Sequence, residues 1–230
     1  MKPKLGVYIK KQADDGCIIE EYYDPKKGRY NKYYYGKKRA PQVKLTDKIS
    51  QQFAAYTLIE KDLRSVIFWL EQISLMKPNV LDRTTDPMKM NLIKGLFVAA
   101  LTFYAKCFTS CEGRKVKLES KHVPDDLLKV HEDIMKLRHN FAAHSGAENF
   151  EEVQVSLVLH PNKSKDIKPQ LFTELAQPDF IGDSELPFLE LAHQLQKVVW
   201  NKRKQVGDVV MQRVVRAESK SYWYKKAKQS

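Results

Sequence analysis

Between Asp47 and Met76 apolar residues return every three or four positions, at Ile49, Phe53, Leu58, Val66, Leu70 and Ile73. That period belongs to one face of an α-helix and not to the two-residue alternation of a strand, so the stretch predicts a long helix capped at Thr46 and finished near Met76. "KPNVLDRTTDP" breaks the pattern. A second helix is expected from Pro87 to about Cys107, closed before "EGRKVKL". A third begins at "VPDD", where Pro124 suits a first turn and Asp125 and Asp126 favour the positive end of the dipole, and it stops near Ser145 and Gly146. A last one starts at Glu185 or Pro187 and extends through "LAHQLQKVVWNKRKQVGDVVMQRVVRA". Helices with one apolar face bury those faces on each other, so the expected fold is mainly α, an antiparallel helical bundle.

Small β additions accompany it. Leu5, Val7 and Ile9 alternate like a strand, and "CIIEEYY" is β-prone. "VQVSLVLH", from Val153 to His160, reads as a second strand region, with "QLFTEL" as its partner after a polar loop. The expected organisation is therefore a basic, tyrosine-rich segment over 1–44 packed on the bundle, a helical domain over 45–219 with a β insertion near 151–176, and a frayed basic tail over 220–230. No tandem repeat is present.

The 230 residues, 43% hydrophobic and 30% charged, suit a globular chain with a sizeable core rather than a disordered one. Lys and Arg exceed Asp and Glu by 40 to 28. The excess sits at the ends: residues 1–44 carry 12 basic and 5 acidic side chains, and residues 197–230 carry 10 and 2. Such ends favour a polyanion, either nucleic acid or an anionic surface, unless they are only solvated. Cys17, Cys107 and Cys111 make an odd number and read as reduced intracellular thiols with no disulfide framework. The N-terminus lacks the apolar core of a signal peptide, and the run Leu96–Ala105 is about half a membrane span. A soluble cytoplasmic protein with no membrane attachment is expected.

Several chemistries lack their residues. Cys107 and Cys111 share a helix face, but zinc would need two further donors and no second Cys/His pair has the spacing. His139 and His144, five apart, are poorly placed to share a metal on a regular helix. Neither a Gly-rich phosphate loop nor a nucleophile elbow occurs, so no cofactor or metal is expected.

One cluster does concentrate chemistry. In "MKLRHNFAAHSG", residues 135–146, an ideal wheel places Leu127, His131, Ile134, Phe141 and Ala142 within about 60° of Arg138. Lys129, Glu132, Asp133, Lys136, Asn140 and Ala143 take the opposite side. A guanidinium on an apolar stripe needs an anion, supplied by an internal carboxylate, a dimer contact or an incoming phosphate. His144 lies about 120° round and about 9 Å further along, where the negative helix end favours its protonated form. It is either a proton carrier near neutral pH or a terminal histidine that stabilises carbonyls. His139 is about 100° from Arg138 on the other flank, so the three do not converge within one straight helix.

Arg138 and His144, with five residues between them in "RHNFAAH", resemble the signature of the HEPN superfamily, and "LRHNFAAHSG" is similar to its abortive-infection-type members. The resemblance spans about residues 46–145 and extends less fully to the last helix. It implies a HEPN-like bundle and a metal-independent endoribonuclease, a toxin or phage-defence effector acting on RNA. It also implies a homodimer in which Arg138 and His144 of both subunits form a composite active site, restrained by an antitoxin or regulatory protein. Where the family often has Asn or Asp after the arginine, this chain has His139 and then Asn140, either of which can take the auxiliary role. The alternative is a catalytically inactive HEPN-like module that binds nucleic acid or a protein.

Two further stretches bear on partners. "YYDPKKGRYNKYYYGKK", residues 22–38, interleaves six tyrosines with six cations, as an RNA-contacting arm or a tyrosine-rich hairpin with a wet basic edge. Lys202, Arg203, Lys204, Arg213 and Arg216 lie on the last helix, as a nucleic-acid contact or a solvated face.

Overall fold

The periodic stretch after Thr46 forms helix α1, Lys48–Met76, beginning one residue later than a Thr46 cap implies. Lys77 ends it with a left-handed φ of 45°, its N–H reaching the Ser74 carbonyl at 3.2 Å, and Pro78 then bars continuation. The computed structural model describes residues 7–13, 15–26, 28–79, 82–110, 114, 116–139, 152–162, 165–166, 168–176 and 185–228. The fold is mainly α with small antiparallel sheets. Its described residues fall into two compact units, one of residues 48–208 and one made of 1–47 with 209–230.

In the larger unit a short helix α2, Asp82–Thr85, precedes α3, Pro87–Phe108. Asp86 caps α3 by accepting the Lys89 N–H at 3.0 Å, and Pro87 occupies the first position, where no donor is lost. The core joins Ile59, Leu63, Val66, Leu70 and Ile73 of α1 to Ile93, Leu101 and Tyr104 of α3. Helix α5, Glu185–Val210, adds Phe188, Leu191, Leu195 and Val199. Phe188 stands edge-on to both Phe97 and Tyr104, at centroid distances of 6.3 and 5.2 Å. Each fully buried Leu, Ile or Phe here contributes about 1.5–3 kcal/mol. Helix α3 is long and apolar enough to cross a membrane by length and composition, and its Ile93, Ala100 and Leu101 lie in this core. Gly207 lets α5 approach α1, because a Cβ there would meet the Phe53 ring at 3.1 Å.

The segment expected to start helically at Pro124 opens instead as a 3-10 turn, Asp125–Leu127, and only then becomes α4, Leu128–Leu137. Pro124 is the residue before that turn; its carbonyl accepts the Leu127 N–H at 3.0 Å. The expected stop near Ser145 lies outside the described residues. Strands β5, Glu152–Val158, and β6, Gln170–Ala176, pair antiparallel as a hairpin. Val153, Val155 and Leu157 share one face with Leu171, and all four are more than half exposed.

The smaller unit holds a four-stranded antiparallel meander: β1 Val7–Gln12, β2 Cys17–Asp24, β3 Gly28–Tyr35 and β4 Lys38–Arg39. Gly36, at φ +57°, makes the tight β3–β4 turn that side chains with a Cβ rarely adopt. Register places Tyr22 opposite Tyr30, and their rings stack at 5.6 Å with the Lys32 ammonium 4.2 Å from the Tyr22 centroid. Residues 220–230, expected as a frayed tail, include helix α6, Lys220–Ala227. Ser219 caps it by accepting the Tyr222 N–H at 3.2 Å, and the Trp223 indole donates to the Val215 carbonyl at 2.8 Å. A cap and an indole anchor order eight residues whose charge alone suggests fraying.

Candidate functional site

Helix α4 divides as its wheel requires. His131 and Ile134 are buried, whereas Lys129, Glu132, Asp133 and Lys136 are exposed. Arg138 follows the last helical residue with helical angles, its N–H shared between the Ile134 and Met135 carbonyls. Its side chain is half-buried, less enclosed than a position in the middle of an apolar stripe implies. His139 follows in a widened, π-type turn and is exposed. Asn140 and His144 lie outside the described residues.

Seven residues before Arg138, on the same stripe, His131 meets Tyr104 of α3, with the phenolic oxygen 2.7 Å from Nδ1. The Phe108 ring lies 4.4 Å from the imidazole centroid. Burial pushes the Tyr104 phenol well above its ordinary range, so it keeps its proton, and the imidazole tautomer sets which of the two groups donates in this hydrogen bond. Burial also pulls the His131 pKa below its usual value. The imidazole is therefore neutral at pH 7.

This has a pH consequence of definite sign. Below about pH 6.5 the unfolded chain binds a proton at His131 that the folded chain refuses, so its stabilising contribution is complete above that pH and declines below it. His122, also depressed by burial and by Lys202, acts in the same direction. Urea midpoints are expected to fall between pH 7.5 and 5.5, and a Tyr104→Phe chain, whose Nδ1 loses its hydrogen-bond partner, to be about 1–3 kcal/mol less stable at pH 7.5. A level midpoint across that interval contradicts the neutral buried imidazole.

The fully enclosed guanidinium of the described chain is that of Arg114, 5% exposed, not Arg138. Its Nη2 lies 2.6 Å from Asp62 Oδ2, and Lys106 and Lys61 approach the same carboxylate at 3.3 and 3.1 Å. Burial by itself raises the Asp62 pKa, but these three cations outweigh it and hold the carboxyl below its usual range. Burial, with the Asp62 charge nearby, pushes the Cys107 thiol up to about 12, which leaves it inert. Cys111 lies outside the described residues. The requirement for an anion beside a buried arginine is thus met 52 positions away in sequence, on α1. A usable signal existed: Asp62 falls between Ile59 and Val66 on the apolar face of α1, where a carboxylate demands a cation.

Among the described residues, no group of three or more His, Cys, Asp or Glu side chains gathers closely enough to hold a metal ion. Comparison of the chain with protein-family models, curated proteins and solved structures finds no match.

Proposed function

We propose that the chain is a HEPN-like, metal-independent endoribonuclease that works as a homodimer, with Arg138 and His144 as its catalytic pair and His139 or Asn140 in support. The observation that carries this reading is Arg138 itself, half-buried at the end of an amphipathic helix and immediately ahead of "HNFAAH". A half-buried arginine is partly enclosed by the fold and partly open to a ligand, and its planar fork suits the paired oxygens of a phosphate.

RNA carries its own nucleophile. A histidine removes the 2′-hydroxyl proton, the oxygen attacks the adjacent phosphorus, and the arginine neutralises the charge that gathers on the phosphoryl oxygens. The 5′-oxygen leaves with a proton, giving a 2′,3′-cyclic phosphate and a 5′-hydroxyl. Because the wheel turns Arg138 and His144 about 120° apart, one straight helix cannot close both on one phosphate, and a second copy supplies the missing partner. The exposed apolar face of the β5–β6 hairpin supports self-association, since Leu171 is 71% and Val155 62% exposed.

The test is the chemistry of the ends. Incubated with mixed RNA in EDTA, the purified chain is expected to produce cyclic-phosphate and 5′-hydroxyl termini. Fragments bearing 3′-hydroxyl and 5′-phosphate, or cutting that stops in EDTA, would falsify the mechanism. RNA binding without cutting selects the catalytically inactive module instead.

A further inference from the structure

The two compact units share the chain's charge unequally. Residues 1–47 and 209–230 together hold 18 Lys and Arg against 7 Asp and Glu, a formal +11, whereas residues 48–208 hold 22 against 21. Nine of the 11 tyrosines fall in that same small unit. The basic ends, far apart in sequence, are thus one basic and aromatic body.

Where the segment after β4 meets α6, two hollows of about 560 and 220 Å³ adjoin, sharing Ala40, Pro41 and Ala227. Arg39 and Lys44, both exposed, edge the first; Tyr35, Trp223 and Tyr224 line the second. Tyr35 and Tyr224 are each about half exposed, at 52% and 53%. The Tyr35 hydroxyl donates to Asp15 at 2.6 Å, and the Trp223 indole is held by Val215, so the Tyr35 and Trp223 rings are fixed before any ligand arrives, with Tyr224 exposed beside them.

We propose that this groove binds single-stranded RNA, with bases stacking on Tyr35 and Tyr224 and the backbone following Arg39 and Lys44. Exposed rings beside cations, Tyr35 held in place by Asp15, match unpaired bases linked by phosphates. A duplex keeps its bases stacked on each other and would leave the rings unused. An anionic bilayer would need apolar side chains projecting outward, whereas these line a concavity. The choice of RNA over single-stranded DNA rests on the ribonuclease reading; the groove itself requires only unpaired bases and phosphates.

Fluorescence anisotropy of the intact chain with a labelled 2′-O-methyl oligouridine, which lacks the attacking hydroxyl, reads binding without cleavage. Tyr224→Ala is expected to weaken binding about 5-fold or more. The double variant Arg39→Gln, Lys44→Gln is expected to flatten the slope of log affinity against log salt by about 1.4, two phosphate contacts' worth on a single strand. The proposal is overturned if the double variant, folded by circular dichroism, keeps the parent's affinity and slope. It is equally overturned if phosphatidylserine vesicles or a duplex are bound in preference to the oligouridine. Normal binding by the groove variants together with cleavage lost in Arg138→Ala removes the groove alone; binding lost in the groove variants of a parent that cuts nothing removes the nuclease alone.

Discussion

Arg138→Ala is expected to slow RNA cleavage by about 10²–10³-fold, the loss found when one preorganised donor to developing oxyanion charge is removed. The fold should survive, because Arg138 lies past the last residue of α4 and its side chain is only half-buried, while His131 and Ile134 make the enclosed contacts. Arg138→Lys separates two ways of using the charge. A lysine restores the positive charge but not the planar fork, so it should recover little of the rate if two phosphate oxygens are held at once. His144→Ala is expected to lose about 10²–10⁴-fold, the range for a general acid or base. Because each composite site draws on two copies, mixing the two inactive proteins should restore measurable cleavage. Full activity in either single variant, with circular dichroism unchanged, excludes this pair as the active site.

What could be read from sequence was whatever local periodicity controls. The three-and-four spacing located α1, α3 and the start of α5 to within a residue or two, whereas α5 ends at Val210 and widens into a π-type turn, Met211–Val215, short of the expected Ala217; strict alternation located β5 with its partner β6. The polar and apolar sides of α4 were legible for the same reason. Long-range pairing was not. Nothing near Arg114 announces a partner on α1, since the pair exists only after the helices pack. The order of Lys220–Ala227 depends on an indole reaching back eight residues, a contact that composition conceals beneath lysines. The gathering of both basic ends into one unit is likewise a property of topology, invisible to charge counting along the chain. For the candidate site, the placement of Arg138 on the apolar side of α4 was legible, but its degree of burial was not, because a wheel gives a side chain's direction and not what packs against it.

The buried ion pair carries the largest stability effect. Asp62→Leu would leave the Arg114 guanidinium, its side chain 3% exposed, without its carboxylate and, among the described residues, with the Lys106 carbonyl at 3.4 Å as its remaining acceptor. Stranding a buried charge in this way costs about 3–5 kcal/mol. Arg114→Met should cost less, because Asp62 would keep Lys61 and Lys106, whose side chains are about half exposed and already bridge it to solvent. Replacing both residues removes the desolvation and the attraction together, so the double variant should be more stable than Asp62→Leu alone. Urea midpoints of the four proteins close a double-mutant cycle, and additive losses would mean that the two side chains do not depend on each other. Acid supplies an independent check. Since the folded Asp62 pKa lies below its unfolded value, the pair's contribution is fully present above about pH 3.9 and disappears as the pH falls through the folded value. The double variant should therefore lose less stability than the parent between pH 4.5 and the acid transition, and an unchanged acid limb would show that Asp62 carries no such charge in the folded chain.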